Sequence, residues 1–174
     1  QKYGMAKKVH VLYNPIDFDS IIEKSKEKND FDFGKGMKFI LAGSFVKVKG
    51  FERFVNVCER LKNDGKNFSV LIMGDGEEKE YIKKMIAEKK LGDTIKTLDF
   101  QTNPYKYIAH SDVYVCSSYA EGYSTSVSEA VALSVPVITT ECSGMREIFG
   151  ENECGIICEN SEDGLYNAMK KVLE

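Results

Sequence analysis

Strand-length apolar runs alternate with amphipathic helical stretches along the whole chain, which predicts an α/β fold. Two further observations sharpen this. Most of the strand-length runs are continuously apolar rather than alternating, as expected for a parallel sheet covered on both faces. Glycines also punctuate the passages from strand to helix, at Gly50, Gly74 and Gly76. Together they predict a Rossmann-like, doubly wound parallel sheet of about six strands with helices on both faces.

In chain order, the predicted strands are Val9–Tyr13, Met37–Ala42, Phe68–Met73, Ile95–Leu98, Val113–Cys116, Val135–Thr139 and Gly155–Cys158. The lysine-rich run Glu23–Lys28 reads as a solvated helix face or loop. In Phe51–Leu61 the residues Phe51, Phe54, Val55, Cys58 and Leu61 fall on one helical stripe, and in Glu78–Lys89 the stripe is Tyr81, Ile82, Met85 and Ile86. Asn103-Pro104 pairs a capping residue with a proline suited to a first helical turn. Near the C-terminus, Leu165, Ala168, Met169 and Val172 repeat the helical spacing.

Composition bounds the function. A chain of 174 residues suits one domain, and 43% hydrophobic residues supply a core. A net charge of −3 argues against a nucleic-acid-coating surface, and no apolar stretch is long enough to span a bilayer. The first ten residues lack the apolar run of a secretory signal. The odd number of cysteines (Cys58, Cys116, Cys142, Cys154 and Cys158) fits reduced thiols in a cytoplasmic protein better than a disulfide framework. Cys142, Cys154 and Cys158 lack the Cys-x-x-Cys spacing of a zinc site, so no metal is expected. The chain opens on Gln1 and stops at Glu174 straight after a predicted helix, so both ends read as cuts in a longer protein.

An open parallel sheet binds ligands beyond the carboxyl ends of its strands, so the turns that follow the strands carry the chemistry. In Gly43-Ser44-Phe45-Val46-Lys47-Val48-Lys49-Gly50, a glycine at the strand end lets a ligand approach the backbone. A lysine before the helix can pair with phosphate oxygens. An ordinary turn with a solvent-facing lysine would contain the same residues. Met73-Gly74-Asp75-Gly76-Glu77 lacks the third glycine of a dinucleotide fingerprint and carries acids, so it reads as a tight connection bordering a site. The segment from Ser117 to Ala130 follows an apolar strand and leads into a helix beginning near Ser124. Amides at a helix start attract anions, and Gly122, Ser124 and Ser126 leave room for phosphate. Glu121 stands at the mouth and Glu129 about one turn inside, where a carboxylate can accept two hydrogen bonds from a diol. Each glutamate taken alone is also an ordinary surface or helix acid.

In this order, the segments resemble the donor domain of group 1 retaining glycosyltransferases, family 4, of GT-B architecture. The resemblance covers the chain from Val11 to the last helix. It rests on Val11 to Asp17, on the Gly43 to Gly50 turn, on Leu71 to Gly76, and on Glu121 to Glu129 as a Glu-x7-Glu motif followed by Ala130. Pro136-Val137-Ile138 and the pair Gly144 and Glu147 complete it. The resemblance implies one half of a GT-B enzyme: residues 1–174 bind a nucleoside-diphosphate sugar, and the acceptor domain lies on an N-terminal segment absent from this chain. It implies that Lys49 binds the diphosphate with Gly43 and Ser44 at the same turn. Glu129 would hold the ribose, and Glu121 would stand beside the sugar at the reacting centre. Backbone from Gly122 through Tyr123 and Ser124 to Thr125 would hold sugar hydroxyls and phosphate. The base would be read near Gln101, with Lys106 a candidate phosphate neighbour. It further implies transfer with retained configuration and no metal cofactor. Members that build polysaccharide or glycolipid work at the inner face of a membrane, which the full-length protein would reach.

Three positions depart from the pattern. Ser44 stands where an arginine is usual, which removes a fixed positive charge worth about 1–3 kcal/mol if its hydrogen bonds were made. Asp99 and Ser134 stand where glycines are common. A nucleotide-sugar epimerase of the same architecture and a non-catalytic nucleotide-sugar-binding module are the alternative readings. A metal-binding Asp-x-Asp at Asp17-Phe18-Asp19 or Asp30-Phe31-Asp32 lacks the strand end it needs. A hydrolase elbow at Gly122 to Ser126 lacks its last glycine, and both His10 and His110 precede its serine, against the required order.

Overall fold

A computed structural model describes residues 15–151 and 153–174. The strand expected at Val9–Tyr13 lies outside the described residues. The first element is helix α1 (Phe18–Ser25), capped by Asp17, whose Oδ1 accepts from the Ser20 amide at 3.0 Å. Asp32 likewise accepts from the Gly34 amide at 2.8 Å, so both Asp-x-Asp pairs contribute to a cap or a turn.

Six strands follow: β1 (Met37–Ala42), β2 (Phe68–Met73), β3 (Ile95–Leu98), β4 (Val113–Cys116), β5 (Val137–Thr140) and β6 (Gly155–Cys158). The remaining helices are α2 (Phe51–Asn63), α3 (Lys79–Glu88), α4 (Tyr105–Ile108), α5 (Thr125–Ala132), α6 (Met145–Phe149) and α7 (Glu162–Val172). All strand pairs are parallel and the order is β3-β2-β1-β4-β5-β6. Chain progression therefore reverses between β1 and β4, the switch point where an open sheet leaves a crevice at its carboxyl edge.

The pleat sorts side chains onto two cores. Phe39, Leu41, Val70 and Ile72 pack with α2, α3 and α7 through Phe54, Ile82 and Leu165. Ile40, Leu71, Tyr114 and Val137 face the other way, against α4, α5 and α6 through Ile108, Val127 and Met145. Both faces of β2 are buried along its whole length, which is why it reads as an apolar run interrupted only by Ser69.

Both bounds of β5 differ from expectation, its end at Thr140 by a single residue. The strand expected from Val135 begins at Val137, because the Val135 amide bonds back to Ala130 O at 3.0 Å and Pro136 has no amide to donate. Ser134 turns the chain there with φ 57, the left-handed conformation that explains why a glycine is usual. All five cysteines are free thiols. Among the described residues no helix is long and apolar enough to cross a membrane.

The turns after β1 and β2 interlock at Gly74, whose φ is 146 and whose place would bring a Cβ within 1.8 Å of the Gly43 carbonyl oxygen. Gly74→Ala combines that collision with backbone strain. It is expected to cost about 2–4 kcal/mol in urea unfolding, while Gly65→Ala, with open space around it, costs less than about 1 kcal/mol.

Candidate functional site

The carboxyl ends of β1 and β2 and the segment after β3 border a cleft of about 660 Å³, lined in part by Gly43, Ser44, Asp75, Gln101, Tyr105, Ser126 and Glu129. Against its floor at the β1/β4 switch lies a narrow recess that shares Ala42 and Ser126 with it and is lined also by Lys49, Ser118 and Glu121. The β1–α2 turn supplies Lys49, the loop between β4 and α5 supplies Glu121, and α5 supplies Ser126 and Glu129. Two stretches far apart in sequence, the turn after β1 and the loop-and-helix after β4, thus meet over one gap in the sheet.

Lys49 Nζ donates to Glu121 Oε1 at 2.7 Å, and the Ser118 hydroxyl donates to the same oxygen at 2.6 Å. Both members of the ion pair are mostly covered. Glu129 projects from α5 into the cleft, where Oε1 accepts from the Tyr105 hydroxyl at 3.0 Å. Burial raises the Glu129 carboxyl above its ordinary value, and the Tyr105 hydrogen bond offsets part of this. Burial and the nearby Glu129 charge push the Tyr105 phenol up to about 12. The two glutamates of the motif therefore occupy different environments: Glu121 faces a cation, while Glu129 is neighbour to a neutral phenol.

Of the residues singled out from sequence, Gly43, Ser44, Lys49, Gln101, Glu121 and Glu129 line these two recesses. Gln101 is held by its neighbours, donating to Asp99 O at 3.1 Å and accepting from Tyr107 Oη at 3.2 Å. Gly122, Tyr123 and Ser124 lead into α5, and Thr125 is its first residue. Ser124 caps that helix, its Oγ accepting from the Val127 amide at 3.4 Å, so one first-turn amide is satisfied within the helix. Lys106 is not among the cleft-lining residues: its ammonium lies 5.5 Å from the Tyr107 ring centroid on α4. Ser44 is exposed at the cleft. Asp99 faces Lys79 at 2.5 Å, and that ammonium holds the Asp99 carboxyl below its ordinary range. Among the described residues, no group of three or more His, Cys, Asp and Glu stands where it could hold a metal ion.

Sequence reasoning passed over three contributors. Tyr105 was hidden behind the helix-start signal of Asn103-Pro104. Phe100 is 71% exposed on the cleft wall, and only its place beside Gln101 marked it. Arg53 is 4% exposed on α2, with burial pulling its guanidinium below its ordinary value. A charge within an amphipathic helix reads as a solvated face, so nothing in the pattern pointed to it.

A six-stranded parallel sheet in this order, with helices on both faces and a lysine–glutamate pair at its switch point, is a Rossmann-like domain. The chain belongs to the family described as glycosyl transferases group 1, whose model matches residues 22–174. It is 35% identical over 171 residues to N-acetylgalactosamine-N,N'-diacetylbacillosaminyl-diphospho-undecaprenol 4-alpha-N-acetylgalactosaminyltransferase of Campylobacter jejuni, covering 97% of this chain and 45% of that protein. The O-antigen biosynthesis glycosyltransferase WclY of Escherichia coli is 29% identical over 147 residues, covering 83% of this chain and 40% of that one. Among solved structures, HepE of Anabaena in complex with UDP and glucose superposes with a TM-score of 0.81 at 18% identity, covering 99% of this chain and 49% of that one. The chain thus spans less than half the length of these relatives.

The raised carboxyl of Glu129 makes a signed prediction. Folding disfavours its charged form, so the cost to stability is full above the raised value and fades as pH falls through it. Glu129→Gln keeps an acceptor for Tyr105 and removes the cost. Its thermal midpoint is expected to lie above the parent's at neutral pH, with the gain shrinking toward about pH 4 in a series of melts.

Proposed function

We propose that this chain is the nucleotide-sugar-binding half of a retaining glycosyltransferase, which passes a sugar from a nucleoside diphosphate to an acceptor hydroxyl. The observation that carries the reading is the Lys49–Glu121 pair at the sheet's switch point, with Glu129 on the same cleft. In the reaction, the acceptor oxygen bonds the anomeric carbon as the bond from that carbon to the diphosphate oxygen breaks. The acceptor proton is released and the nucleoside diphosphate leaves with its charge.

Each residue then has a task. Lys49 exchanges its contact with Glu121 for the diphosphate oxygens, and the opening of α5 adds its partial positive charge, so the leaving group is stabilised without a metal. Freed from the lysine, Glu121 accepts from hydroxyls of the sugar beside the reacting bond. Glu129 accepts from the ribose diol. Gln101 and Phe100 border the part of the cleft that takes the base, Gln101 through its backbone. Acceptor binding falls to the part of the longer relatives that this chain does not span. The UDP and glucose bound on the same fold in HepE support the ligand class. The diphospho-undecaprenol in the Campylobacter relative's name supports a lipid-linked acceptor, which would bring the protein to a membrane surface.

Calorimetric titration with uridine and guanosine diphosphates tests the reading. One of them is expected to bind this chain with a Kd on the order of 0.1–1 mM, and Lys49→Ala to weaken it at least tenfold. The chain alone is expected to turn nothing over. No heat from either nucleotide at millimolar concentration would defeat the proposal.

A further inference from the structure

Arg53 makes its contacts beneath the loop that carries Glu121. Its Nε donates to Ser117 O at 2.7 Å and its Nη2 to Ser118 O, while Nη2 also reaches Thr140 Oγ1 at 3.2 Å. Its Nη1 donates to Asn160 Oδ1 at 2.8 Å, and the guanidinium stacks 4.1 Å from the Tyr119 ring centroid. It lines neither recess of the cleft. The loop it holds is bonded on its other side to the lysine turn: Ser117 Oγ donates to Lys49 O at 2.9 Å, and the Tyr119 amide to Val48 O at 2.8 Å. Ser118, whose carbonyl Arg53 clamps, uses its hydroxyl to hold Glu121.

We infer that Arg53 is the positioning residue of the cleft, fixing the Ser117–Tyr119 segment so that Glu121 and Lys49 meet, and thereby setting nucleotide affinity without touching the nucleotide. The inference rests on the nucleotide-binding reading above. Its weight comes from the lining: among the described residues that line the two recesses, Lys49 is the one cation, so its placement decides how well a diphosphate is held. Only a planar fork can serve two successive carbonyls, a hydroxyl, an amide oxygen and a ring face together. A lysine ammonium at this place would keep the charge and lose the geometry.

The test compares Arg53→Lys with Val57→Ala, a buried change on the same helix that removes none of the Arg53 hydrogen bonds. Arg53→Lys is expected to bind uridine diphosphate at least tenfold more weakly than a Val57→Ala protein of similar thermal midpoint. Its Tyr119 amide is expected to exchange hydrogen at least tenfold faster, while the Leu71 amide in β2 is unchanged. Equal affinity in the two variants, or an unaltered Tyr119 exchange rate, would overturn the inference. Should the parent chain bind no nucleotide, the donor reading falls, yet Tyr119 exchange still decides whether Arg53 is the clamp. If Arg53→Lys does not fold, Asn160→Ala removes the clamp's side support and a hydrogen bond to Tyr119 O. A severalfold faster Tyr119 exchange is then expected, and no change would count against the clamp.

Discussion

Gly50 lies against the carbonyl of Ser117 so closely that a Cβ there would come within 2.2 Å of the oxygen, and its φ of 64 sits in the left-handed region. Only glycine meets both demands without strain. The contact brings the turn after β1 against the loop after β4, although these segments are 68 residues apart where Ser117 Oγ bonds Lys49 O. On its other side the same turn leans on the one after β2, where Phe45 N donates to Asp75 O at 2.8 Å and Gly76 leaves no room for a side chain beside Phe45. The β1–α2 turn is therefore wedged between two neighbours. The cleft is the space left above that interlock.

Electrostatics then divides the labour between two acids of the same type. Glu121 has an ammonium and a hydroxyl to replace water, so its charge is matched. Glu129 has one phenol and a partly dry wall, so its charge is held at a cost to folding. A carboxylate kept under such conditions is under-supplied with donors, which is the state in which it gains most from a ligand that brings hydroxyls. Ser44, standing where the resemblance expects an arginine, adds no charge to its side of the cleft and is exposed to solvent there.

Most of the fold was legible in the residues because parallel strands covered on both faces carry their burial in their own composition: β1, β2, β3, β4 and β6 keep the expected bounds. The start of β5 was not, since Val135 is apolar enough for a strand but its amide belongs to the turn after α5. At the site, Lys49, Glu121 and Glu129 were legible because spacing around a strand end fixes where they fall. Arg53 was not, because its meaning lies in acceptors 64, 65, 87 and 107 residues away along the chain. Lys106 shows the converse limit. Sequence proximity to a cleft wall did not decide on which side of α4 its long side chain would settle.

The outermost strands of the described sheet, β3 and β6, are each four residues long, and β3 carries Lys96 at its centre-line. Short margins of this kind offer few free backbone groups for another chain to extend the ladder, and a lysine discourages what pairing is left. Association through strand addition is thereby suppressed along both flanks. A second folded unit that joins this one would gain little from open backbone on either flank.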